Sequence, residues 1–188
     1  MATLFVDKID PQSGTTLSLG SSGDTLQATT GAINNIGIGM ADQFRLTANL
    51  TANADPISAN LERVDNATFA KIGTGMSLSS GIYTFPTTGL YQVICIMRSL
   101  STASDTITCS TYVSSNSGSS YDLVAQTLNG DSGSSRINQG SCIAFVNVTN
   151  TSTFRIKFAA ESLVTGAIEG NTAHNETCFT FIRLGDSQ

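Results

Sequence analysis

GIYTFPTTGLYQVICIMRSL, residues 81–100, carries the architecture of this chain. A short β-rich run ends at Pro86, which cannot donate to a sheet ladder, and the TTG that follows has turn chemistry. A long run then begins in which residues 89–97 (GLYQVICIM) are apolar at both odd and even positions. Successive side chains of a strand point to opposite faces, so a strand with one wet face should alternate. This one does not, and both of its faces need a cover. Residues 178–184 (CFTFIRL) share the pattern, and 141–148 (SCIAFVNV) show it more weakly. One face is covered by the rest of the sandwich. The simplest cover for the other is a second copy of the same chain, which predicts an obligate homo-oligomer.

Outward from this stretch, strand-like segments follow one another from about Asp42 to Gly185. They are QFRLTANLT (43–51), ATFAKIG (67–73), GIYTFP (81–86), 89–100, TITCSTYVSS (106–115), DLVAQTLN (122–129), SCIAFVNVT (141–149), TFRIKFAAE (153–161) and ETCFTFIRL (176–184). Turns rich in Ser, Asn and Gly separate them, such as SNSGSS and NGDSGSS. Residues 106–115 and 122–129 alternate well, as outer strands should. The composition agrees: 24 Ser, 25 Thr and 17 Gly, with no long helical period. The predicted fold class is all-β, a two-sheet jelly-roll sandwich spanning 41–188. Residues 1–40 form a separate part, an extended N-terminal arm. Its strand-like fragments LFVDKI and TLSLGSS place apolar side chains at Leu4, Phe5, Val6, Ile9, Leu17, Leu19 and Leu26, which need a partner surface and suit an anchor.

The chemistry of the chain is sparse. Only 12% of the 188 residues are charged, the net charge is -5, and Lys8, Lys71 and Lys157 are scattered, so no basic patch is available to nucleic acid. No run is long enough to span a membrane as a helix, and the residues after Met1 do not read as a secretion signal. The four cysteines, Cys95, Cys109, Cys142 and Cys178, lack paired spacing and read as free, mostly buried thiols. Five Asn-x-Ser/Thr sequons, beginning at Asn49, Asn66, Asn147, Asn150 and Asn175, match what chance gives in so Asn-, Ser- and Thr-rich a chain. His174 is alone in a polar loop, with no nucleophile–base arrangement around it. Asp55, Glu62 and Asp65 are near one another and could offer oxygens to calcium, although solvated loop acids are the simpler reading. The expectation is a chain with no enzyme activity, no cofactor and no metal.

The segment GIYTFPTTGLYQV (81–93) resembles the Gly-x-Tyr/Phe-Thr-x-Pro-x-x-Gly-x-Tyr signature of the C1q/TNF-like jelly-roll family. Residues 43–51 resemble that family's first strand, and FRIKFAAE with TCFTFIRLG resembles its closing pair, so the likeness covers about residues 42–185. It implies a compact homotrimer that binds or scaffolds. Strand parity then offers Tyr91, Val93, Phe145, Phe179 and Phe181 as trimer contacts. The collagen stalk of many secreted members is absent. MATLFVDKIDPQSGTTLSLGSSGDTLQATTGA instead resembles N-terminal segments on structural proteins of tailed bacteriophages, especially marine ones. Together the two resemblances imply a virion surface protein: a homotrimer that decorates or cements a capsid, anchored through residues 1–40. Its partners would be itself and the capsid or tail proteins. A short head or tail fibre that recognises host surface glycan is the alternative, and a secreted C1q-like recognition module is a more distant one.

Overall fold

The computed structural model describes residues 38–131 and 135–188. The proposed anchor positions from Leu4 to Leu26 lie outside them, as does part of the NGDSGSS turn. Among the described residues the elements are all strands: β1 (Met40–Leu46), β2 (Leu61–Arg63), β3 (Ser77–Ser79), β4 (Ile82–Thr84), β5 (Gly89–Ser101), β6 (Asp105–Ser114), β7 (Asp122–Asp131), β8 (Arg136–Val148), β9 (Arg155–Glu161), β10 (Ala167–Ile168) and β11 (Cys178–Gly185).

They form two antiparallel sheets. In the first, β8 lies against one side of β5, and β11 followed by the short β10 lies against the other, with β1 and β2 beyond β11. The second runs β3-β4-β9-β6-β7. Chain neighbours β5 and β6, and again β7 and β8, belong to different sheets, so the chain crosses the sandwich repeatedly in jelly-roll fashion. The expected class is therefore the observed one.

Sequence explains the central strands well. Tyr91, Val93, Cys95 and Met97 of β5 are buried, while Leu90, Gln92, Ile94 and Ile96 are half-buried on the opposite face. Phe179 and Phe181 of β11 join Phe44, Tyr83 and Phe158 in an aromatic cluster between the sheets, where Phe158 stacks on Phe179 at 4.0 Å between centroids. Tyr91 packs edge-on to Phe85 and donates its hydroxyl to the Thr87 carbonyl at 2.8 Å, tying the long strand to the turn before it. At Gly89 the φ of +152° and the closeness of the Arg183 side chain and Gly185 carbonyl admit only glycine.

Two expectations about elements fail. Residues 67–73 do not form a strand; only Ile72 bridges, to Ala41, and the apolar Phe69 sits in a turn closed onto Asn66. β6 is not the alternating outer strand its sequence suggested, being buried on both faces, while β7 alternates in burial from Val124 onward but turns apolar residues to the outside. Leu123, Val124 and Leu128 are all exposed, and a register shift opposite Thr111 and Tyr112 inserts one extra residue.

Candidate functional site: the outward face and open edge of the sandwich

Four of the five proposed contact residues are misplaced. Tyr91, Phe179 and Phe181 are fully buried inside one protomer and Val93 nearly so, so none can touch a partner. The reason is volume. The space between two packed sheets is about 10 Å across and takes the largest side chains, and both parities of these strands are apolar, so sequence gives no sign of which set is outward. Phe145 is the exception, at 64% exposure.

The opposite parity supplies the outward surface. Register places Phe145 beside Gln92 and then Ile182, and Ile143 beside Ile94 and then Thr180. β8 adds the exposed Ile137 opposite Leu100. At the edge of the sandwich Val124 of β7 lies near Phe145, while Leu123 and Leu128, opposite Tyr112 and Thr108, are exposed on the outer face of the second sheet. Among the described residues β7 and β8 each pair on one side only, β7 with β6 and β8 with β5, so both present a backbone edge here that no described strand takes. They approach closely because Gly140 of β8 has no side chain; a Cβ there would collide with Thr127 and Asn129 of β7. Between them a groove of about 230 Å³ is lined by Val113, Val124, Phe145, Val146 and Phe154.

Charged groups lie at the margins and are already engaged. Arg98 at the upper end of β5 pairs with Glu169 and Glu176, each at 2.9 Å, and His174, 60% exposed, lies 3.3 Å from Glu176. The acids considered for calcium point at cations instead: Asp55 at Lys157, and Glu62 and Asp65 both at the buried Arg45. Among the described residues no group of three or more His, Cys, Asp or Glu is arranged to hold a metal ion. Tyr121, the aromatic of the serine-rich loop, is covered by the Lys157 ammonium 4.5 Å from its ring centroid.

Sequence reasoning treated the thiols one by one, but three of them converge. Cys95 and Cys109 face each other across the sandwich with sulfurs 3.4 Å apart, and Cys142 is the direct β8 partner of Cys95. All are free.

The fold matches solved structures. A TNF-family protein, Eiger TNF from S. frugiperda, superposes over 81% of this chain and 96% of its own, with a TM-score of 0.59 at 14% identity. The fold is a TNF-like jelly roll. Murine APRIL, in a crystal grown at pH 5.0, superposes on this TNF-like chain over 77% of its length and 98% of APRIL's, with a TM-score of 0.58 at 11% identity. No family model and no curated protein matches the sequence. At such identity the TNF-like likeness speaks to fold alone.

Proposed function

We propose that this chain is a homotrimeric, non-catalytic module that mounts on a larger particle, as a capsid decoration or cement protein of a phage virion. The observation that carries the trimer is the apolar outward surface, with Ile137, Ile143 and Phe145 of β8 and Leu123, Val124 and Leu128 of β7 each more than 40% exposed. Full burial of an exposed side chain of this kind is worth about 1.5–3 kcal/mol; these are about half-way there, and the described residues of one chain leave the rest uncovered. The exposed edge of β7 and β8 is a different surface from the outward face of β5 and β11. When edge meets face, the contact is heterologous and can close into a ring rather than a two-fold pair, and the C1q/TNF-like resemblance sets the number of copies at three.

The particle is supported by the arm, whose alternating apolar residues and phage-like character suit docking onto another subunit. Lys157 over Tyr121 occupies the one aromatic that the serine-rich loop could offer a sugar, which weighs against the glycan-binding fibre.

The test is light scattering of the full chain after size exclusion, beside Phe145→Glu and Ile143→Glu variants. The expected mass is three times the 19.6 kDa of one chain, falling to one chain in the variants with circular dichroism unchanged. A full-length monomer at micromolar concentration would overturn the reading. Sedimentation of full-length and arm-deleted protein with purified virions tests the mounting, and equal retention of the two would remove the anchor.

A further inference from the structure

Four thiols without a motif looked inert in the sequence, but their arrangement is directional. Cys95 lies at the centre. Its sulfur is 3.4 Å from that of Cys109 on the facing sheet, and on its own sheet it stands directly opposite Cys142. Cys95 and Cys109 are fully buried, whereas Cys142 is half-buried on an edge strand and so keeps a path to solvent. Thr111 of β6 places its hydroxyl 3.8 Å from the Cys142 sulfur. Hydrogen bonding from Cys95 lowers the Cys142 thiol to about 7; burial opposes this and the Thr111 hydroxyl adds to it. Cys95 moves the other way. Its hydrogen bonds to Cys109 and Cys142, with burial, raise it well above the ordinary thiol range, so it stays the proton donor. Cys178 pairs with Ile96, one register position from Cys95, so its side chain leaves the sheet on the opposite face, and burial raises it to about 11.

We propose that Cys142 is a peroxide-reactive modification site and that Cys95 is its resolving thiol, so that oxidation staples β5 to β8 through a Cys95–Cys142 disulfide. In the first step the Cys142 thiolate attacks one oxygen of a hydroperoxide. The O–O bond breaks, the alcohol or water leaves with a proton, and sulfur is oxidised to the sulfenic acid. In the second step the Cys95 sulfur attacks the sulfenic sulfur. An S–S bond forms, and the hydroxyl leaves with the Cys95 proton as water. Directly opposed positions on neighbouring antiparallel strands have Cα atoms about 4.5–5.5 Å apart, inside the span a disulfide bridges. A sulfenic acid on a thiol with no neighbour would stay open to further oxidation; here the second thiol is already in place.

The experiment treats the full-length protein with hydrogen peroxide and reads intact mass and peptide maps. The expected result is a loss of two hydrogens, mapped to a Cys95–Cys142 linkage and reversed by dithiothreitol. It should persist in Cys109→Ser and vanish in Cys142→Ser. In Cys95→Ser, Cys142 should stop as a sulfenic acid trapped by dimedone. Because substitution of a buried thiol can disturb folding, the unmodified protein supplies a second readout. The rate of Cys142 alkylation by iodoacetamide should be half-maximal near pH 7, where an ordinary thiol of this kind titrates near 9. No mass change under peroxide, a linkage that survives Cys142→Ser, or an alkylation midpoint near 9 would each overturn the proposal.

Discussion

Asp105, at the start of β6, is the residue on which one end of the sandwich is hung. Its carboxylate accepts backbone N–H bonds from Thr165 at 2.9 Å, Gly166 at 3.0 Å, Val164 at 3.2 Å and Thr106 at 2.8 Å, so one side chain orders the loop before β10. Burial pushes its pKa upward, but these four donors outweigh it and hold the carboxyl below its ordinary value. A carboxyl lowered in the folded state contributes stability that is fully present above its unfolded value near 4, and loses it as pH falls through the folded value. Acid unfolding should therefore include a step below about pH 4 that Asp105→Asn removes, read by fluorescence or circular dichroism across a pH series. Asp105→Ala at neutral pH should cost on the order of 2–3 kcal/mol by chemical denaturation, since it strands several buried N–H groups. Phe179→Ala tests the core in the same way. It removes a ring stacked at 4.0 Å on Phe158, and should cost about 3–5 kcal/mol, far more than Phe145→Ala in a monomeric background. That contrast separates the interior aromatics from the outward one, a distinction invisible in GLYQVICIM, where aromatic and aliphatic residues occupy both parities.

Among the strands, what could be read in advance scaled with length and local pattern. β5, β8, β9 and β11 are apolar enough to announce themselves. β2, β3 and β10, with sequences LER, SLS and AI, carry no periodic signal. They exist because distant strands offer hydrogen-bonding edges: β2 lies on β1 through Phe44, Arg45 and Leu46, and β10 caps the end of β5. The candidate surface was legible as a need for cover but not as a set of residues, because a strand apolar on both faces gives no parity. The thiol cluster was not legible at all, since its members come from β5, β6 and β8 and meet only when two sheets close. The close approach of β7 to β8 gives a prediction at this scale. Gly140→Val forces a branched side chain into Thr127 and Asn129 and should cost about 1–3 kcal/mol, seen as a lower thermal midpoint. It should also weaken trimerisation, because the two strands bearing the exposed hydrophobics would be pushed apart.

For the whole molecule the question is how two parts share the work. The TNF-like sandwich contains the surfaces proposed for self-association, while the proposed anchor lies in residues 1–40. Deleting residues 1–39 should therefore leave the trimer mass intact by light scattering, less the deleted segment from each copy, and abolish co-sedimentation with particles. If the deletion dissolved the trimer, the arm would be part of the association itself, and the apolar outward face would no longer account for it alone.

β7 and β8 are long, lie side by side and, among the described residues, have no strand on their outer edges. Ten- and thirteen-residue edges flanked by exposed Ile, Leu and Phe are templates to which any passing extended chain can add. Association thus has a protective side. A newly made protomer is safest when its siblings are close by, and slow encounter exposes it to fibril-like growth. When assembly is slow, aggregates rich in intermolecular β-structure should form in the unsubstituted chain, and thioflavin fluorescence would rise as the trimer peak falls, less so in Phe145→Glu.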